Sequence, residues 1–149
     1  MSLDLRTLIA AVEARNETSR RLECEVALAL GIFAEVTDPS TGVTVFIEHK
    51  CLGRPASESY PPARGTERVP AWTRSIDALK ALLEDQLPGW LADVELGALA
   101  PGDKRYRGAV TNPKTGEACE GYGNTPELAF LAAILQGILW RQLDKEGTA

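Results

Sequence analysis

One histidine, His49, is all the chain has, and its three cysteines, Cys24, Cys51 and Cys119, stand far apart. One imidazole leaves no room for the usual zinc ligand sets or for a Ser-His-Asp constellation. An odd number of scattered cysteines is not a disulfide framework and reads as reduced thiols, so a cytoplasmic protein is expected. Positive charge is in short supply too. The net charge is −5, the opposite of the balance expected in a domain that grips duplex phosphates, so nucleic acid is not the expected partner. Long apolar runs are missing as well. The most apolar stretch, Leu128 to Trp140, is interrupted by Gln136 and falls well short of the roughly 20 residues that span a bilayer. The first fourteen residues interleave Asp4, Arg6 and Glu13 with apolar positions, unlike the core of a signal peptide.

What remains is the composition of a globular domain. Of the 149 residues, 44% are hydrophobic and 25% charged, ordinary values that argue against wholesale disorder. Leu5, Leu8, Ile9 and Val12 fall on one face of a first helix, and Leu22, Val26 and Ala29 line a second, with Gly31 placed to end it. A helical segment over 1–31, in the form of a hairpin or a broken helix, is expected. A β-hairpin follows over 32–51, turning at Asp38-Pro39-Ser40-Thr41-Gly42. That turn parallels Val110-Thr111-Asn112-Pro113-Lys114-Thr115-Gly116, a likeness that common hairpin chemistry explains without duplication. Residues 52–70 hold four prolines, two glycines and three arginines without periodicity, which reads as a long loop.

The C-terminal half carries the clearest pattern, an α-β-β-β-α unit over 71–143 followed by a short tail, 144–149. Ser75 caps a helix with the stripe Ile76, Leu79, Leu82, Leu83 and Leu87, and Pro88-Gly89 stops it. Trp90, Ala92, Val94 and Leu96 alternate with Leu91, Asp93 and Glu95 in a first strand, the period of a half-buried strand. Tyr106, Gly108 and Val110 alternate with Arg105, Arg107 and Ala109 in a second, and 117–123 makes a third. Asp93 and Glu95 against Arg105 and Arg107 suit neighbouring antiparallel strands. Thr125, Pro126 and Glu127 then open a helix over 126–143 that is apolar on both sides and is expected to be buried on both. The whole chain is expected to be one α+β domain, a helix–sheet–helix sandwich with a mainly antiparallel sheet.

Three segments in this half, Pro70-Ala71-Trp72-Thr73-Arg74-Ser75-Ile76-Asp77-Ala78-Leu79, Pro88-Gly89-Trp90 and Gly123-Asn124-Thr125-Pro126-Glu127-Leu128-Ala129, resemble the phage ABA sandwich domain family. The resemblance implies helix–sheet–helix layering and a phage or prophage origin, hence a bacterial host's cytoplasm. It brings no established catalytic residues. The element order over 75–143 is also that of a double-stranded RNA-binding domain, but Glu127 stands where that fold places a base. The start of the last helix is similar to that of HicB-type antitoxins, mainly because it encodes a capped helix after a strand.

No catalytic or metal site is expected, and no cofactor. His49 and Cys51 read as a solvated strand end rather than a nucleophile pair. Gly121 and Gly123 read as glycines that let the strand turn into the helix, since the full nucleotide fingerprints are absent. Trp72, Trp90 and Trp140 read as core or interface anchors, with a stacking platform as the alternative. The site expectation is an anion-binding surface made of Arg54, Arg64, Arg68 and Arg74 in or beside the long loop, together with Lys104, Arg105, Arg107 and Lys114 on one hairpin. The functional expectation is therefore a non-enzymatic phage or prophage accessory protein that binds a small anionic ligand, such as a nucleotide-type host signal, as a homo-oligomer joined through the C-terminal helix. The alternative is a module that inhibits or bridges a host or phage protein through the two-faced helix or an exposed strand edge.

Overall fold

The computed structural model describes residues 4–14, 19–37, 42, 44–48, 69–95 and 106–147. Their elements fall into two compact units. One holds α2 (Arg20–Ala29), β1 (Phe33–Thr37) and β2 (Thr44–Glu48); the other holds α1 (Leu5–Ala14), α3 (Ile76–Gln86), β3 (Leu91–Glu95), β4 (Tyr106–Thr111), β5 (Ala118–Gly123) and α4 (Pro126–Gly147). The two N-terminal helices form where the apolar spacing implies, and they belong to different units.

In the first unit α2 buries Leu22, Val26 and Ala27 along one face. Gly31 ends it at φ 72°, with the Gly31 amide donating to Leu28 O at 3.1 Å and the Ile32 amide to Ala27 O at 3.0 Å. That pair of bonds is a Schellman motif, which only a residue tolerant of left-handed backbone closes without strain. Glu23 is fully buried on the same helix. Its charge is matched by Arg20, whose Nη1 lies 2.7 Å from Glu23 Oε1 and also donates to Val69 O at 2.8 Å. Unmatched, a buried carboxylate would be costly. The strands β1 and β2 pair antiparallel from Phe33 opposite Glu48 to Thr37 opposite Thr44.

The second unit is α+β, with a helix packed on a three-stranded antiparallel sheet in the order β3-β4-β5. The pairing rules place Gly108 of β4 opposite Gly121 of β5, and Tyr106 opposite Gly123. Paired residues share a face, and that face meets α4. A Cβ on Gly108 would lie 2.6 Å from Ala129 O, one on Gly121 2.2 Å from Ala133 N, and one on Gly123 2.5 Å from Ala129 N. These glycines are present so that helix backbone can approach strand backbone, with Ala129, Ala132 and Ala133 facing them. This corrects the reading of Gly121 and Gly123 as turn glycines. Neither has a positive φ; among the described residues the glycines that do are Gly31, Gly42, Gly89 and Gly116.

Every residue of α4 from Leu128 to Leu135 is buried, as a helix apolar on both sides requires. The sheet covers one side, and α1 and α3 also pack against this helix. Thr125 caps it, its Oγ1 accepting the Leu128 amide at 3.1 Å. The helix runs to Gly147, four residues past the expected end. At the start of α1 the Asp4 carboxylate accepts the Thr7 amide at 2.9 Å, and that bond holds its pKa below the usual carboxylate value. Ser75 caps α3 as expected, accepting the Ala78 amide at 3.2 Å.

The edges of the sheet are treated differently. Along β5, the Tyr122 amide donates to Glu13 Oε2 of α1 at 3.0 Å, so a side chain occupies a strand donor that β4 does not. On the other side β3 has only β4 for a strand neighbour among the described residues, and Leu91 is 61% exposed. Trp90, expected as the first strand residue, sits just before the strand and is buried. Glu95 stands opposite Arg107 in the register, in agreement with the charge pattern.

Candidate functional site

Of the residues expected to bind an anion, Arg54, Arg64, Arg68, Lys104 and Arg105 lie outside the described residues, as do His49 and Cys51. Arg74 is exposed immediately before the cap of α3. Arg107 is on β4 and is committed to Glu120 of β5 through a direct ion pair. The Tyr122 hydroxyl also donates to Glu120, at 3.0 Å. Together these bonds hold the Glu120 pKa below the ordinary glutamate value, the Arg107 contact being the larger cause. The same Glu120 bond pushes the Tyr122 phenol up.

Lys114 belongs to a different setting. It lines an open cleft of about 470 Å³ within the second unit. Three pieces of chain build the cleft, and each is fixed by local chemistry. The first is the Leu87–Trp90 turn after α3, where the Trp90 amide donates to Leu87 O at 3.1 Å and Gly89 takes φ 84°. Proline then glycine at the central positions is the residue pattern of a type II turn. The second is the β4–β5 turn. There Asn112 O accepts the Gly116 amide at 2.8 Å, its Oδ1 accepts the Lys114 amide at 3.0 Å, and its own amide donates to Glu117 O at 2.8 Å. The third is α4, which contributes Trp140 and Arg141.

The two indoles are held differently. Trp90 is 9% exposed, and its ring packs where α4 carries Gly137 in place of a side chain: a Cβ there would lie 3.6 Å from the Trp90 ring and 2.8 Å from Leu87 Cδ1. Trp140, one turn further on, is only half-buried. Arg141 is anchored by a bond from Nη1 to Gln86 O at 3.1 Å, at the last residue of α3, and it also borders a smaller hollow of about 200 Å³ with Gln86, Ile138 and Gln142. Glu117 and Thr115 complete the turn side. Neither the Lys114 ammonium nor the Glu117 carboxylate has a hydrogen-bond or ion-pair partner among the described residues.

The cleft therefore joins two aromatic walls, two cations and one carboxylate. Arg74 and Arg107 do not line it. Lys114, Trp90 and Trp140 were legible as candidate groups, but Arg141, Glu117 and Asn112 were not. The turn signals Pro88-Gly89 and Asn112–Gly116 flank the cleft, yet nothing in the sequence indicates that α4 brings Trp140 between them.

Other chemistries find less support. Cys24 and Cys119 are free, and burial pushes both thiols up from their ordinary pKa, with the Glu117 charge adding to the effect at Cys119. A raised pKa is the reverse of what an activated nucleophile needs. Among the described residues no three His, Cys, Asp or Glu side chains gather as metal ligands, and no helix is long and apolar enough to cross a membrane. No family model, curated protein or solved structure matches the chain.

Proposed function

We propose that the protein binds a small anionic ligand in the cleft between the Leu87–Trp90 turn, the β4–β5 turn and α4, in a non-enzymatic role of the kind a phage or prophage accessory protein plays. The observation that carries this reading is the placement of Lys114 and Arg141 beside two indoles in one concave site of about 470 Å³. Ligand sites are concave, mostly apolar and furnished with a few convergent polar groups. The turn that carries Lys114 is closed by its own hydrogen bonds, so the backbone from which the lysine reaches the cleft is fixed before a ligand arrives. The phage connection rests on the short motifs at 70–79, 88–90 and 123–129.

The test is isothermal titration of the protein and of Lys114→Ala and Arg141→Ala with a panel of phosphate and carboxylate compounds. At least one anion should bind, and both variants should weaken it by about tenfold or more, the loss of one charge-assisted hydrogen bond. Equal affinity in all three proteins, or no binding across the panel, would remove the reading. A protein partner is the second reading. It is favoured by Leu91, 61% exposed on edge strand β3, and by Leu143, 43% exposed near the end of α4. Leu91→Lys abolishing a host pull-down, while anion titrations stay flat, would select it.

A further inference from the structure

The cleft is more selective than a simple anion trap. Its cations belong to different elements, Lys114 to the β4–β5 turn and Arg141 to α4, and the acidic residue Glu117 lines the same site. A phosphate alone has no use for Glu117, which accepts hydrogen bonds and repels anions. Nor does it use the indoles. The unspent groups define a ligand by complement: an anionic end for the cations, a flat ring for Trp140, and an N–H or O–H edge for Glu117. Trp140 is the wall free to stack, because Trp90 is locked against Gly137 and Leu87 while Trp140 is half-buried. Arg141 keeps donors to spare, since a guanidinium has about five N–H groups and the Gln86 carbonyl takes one.

We infer, resting on the anion-binding reading above, that the cleft takes a purine nucleoside monophosphate, with the base on Trp140, the base N–H edge toward Glu117 and the phosphate toward Lys114 and Arg141. A cleft of about 470 Å³ lies within the range of sites for ligands of that size.

The experiment is titration of the full chain with guanosine 5′-monophosphate, ribose 5-phosphate and guanosine, followed by tryptophan fluorescence and calorimetry. The nucleotide should bind about tenfold or more tightly than ribose 5-phosphate, the gain expected from stacking one base on an aromatic ring, and should quench tryptophan emission. Trp140→Ala should erase that advantage while leaving ribose 5-phosphate unchanged, and Trp140→Phe should restore most of it. Glu117→Gln should weaken the nucleotide and not ribose 5-phosphate. Equal binding of nucleotide and ribose 5-phosphate would overturn the base-stacking inference and leave the anion reading standing. Guanosine binding as tightly as its monophosphate, or no binding by any of the three, would overturn the inference and count against the anion reading as well.

Discussion

Replacing Gly121 by alanine adds one methyl group in the middle of β5, and general trends favour the change. Glycine costs backbone entropy in a strand, and Gly→Ala at a compatible position stabilises by about 0.4–1 kcal/mol. The structure reverses the sign. The new Cβ would stand 2.2 Å from Ala133 N, 2.5 Å from Ala132 C and 2.7 Å from Ala132 Cβ, where ordinary contact begins at 3.4 Å. Two of those three atoms are backbone, so no side chain can swing aside. Helix α4 must retreat from the sheet by about 1 Å, and a gap of that size forfeits up to about half of each dispersion contact along the interface. Overpacking of this kind costs about 1–3 kcal/mol and sometimes more; a net loss of about 2–4 kcal/mol is expected. Gly116→Ala is the control. A Cβ there meets nothing within 4 Å, and only its φ of 78° opposes alanine, at about 1–2 kcal/mol before the entropy gain. Urea unfolding followed by tryptophan emission is the assay, because Trp72, Trp90 and Trp140 all belong to the second unit. Gly121→Ala proving no more damaging than Gly116→Ala would refute the close-approach argument.

Thr125→Ala removes the acceptor for the Leu128 amide and should cost about 1 kcal/mol in the same unfolding assay; a change within error would mean the cap contributes nothing. Glu120→Gln tests the Arg107 pair. The folded-state pKa of Glu120 is depressed, so its contribution is present above the ordinary glutamate value of 4.5 and is lost as pH falls through the lower folded value. The stability gap between the protein and Glu120→Gln should therefore be widest near neutral pH and close in acid; a gap that widened in acid would contradict the assignment. Lys114, Arg141, Glu117 and Trp140 carry the two binding predictions, which calorimetry with phosphate compounds decides.

The helices and the C-terminal strands were readable because their signals are local. The stripe Leu5, Leu8, Ile9 and Val12 is buried as its spacing implies, and Ser75 and Thr125 cap the helices they precede. The likeness between the two hairpin turns also has a physical basis: Gly42 and Gly116 both adopt positive φ, near 72° and 78°, between antiparallel strands. What stayed hidden depends on distance along the chain. Gly108, Gly121 and Gly123 have meaning only once α4 is laid across them, and turn chemistry was the nearest local explanation. The cleft is a product of the same packing, since Arg141 meets the Gln86 carbonyl across 55 positions of sequence. The arginines of 52–70 were singled out by composition, which says nothing of where a side chain ends up.

The bond from the Tyr122 amide to Glu13 joins residues 109 positions apart, and with α1 lying on α4 it fixes the order in which the second unit can be completed. A chain emerging from a ribosome releases α1 first, yet the surfaces that bury Leu5, Leu8, Ile9 and Val12 are made last. Until α4 is out, α1 is a ten-residue helix without its partner, shorter than the length at which isolated helices hold in water. Contacts of such long range slow folding. The same geometry governs dissection of the protein: a fragment beginning at Ala71 would keep the cleft residues but leave the α1-facing side of α4 bare, so a soluble version of the candidate site has to carry residues 4–19 as well.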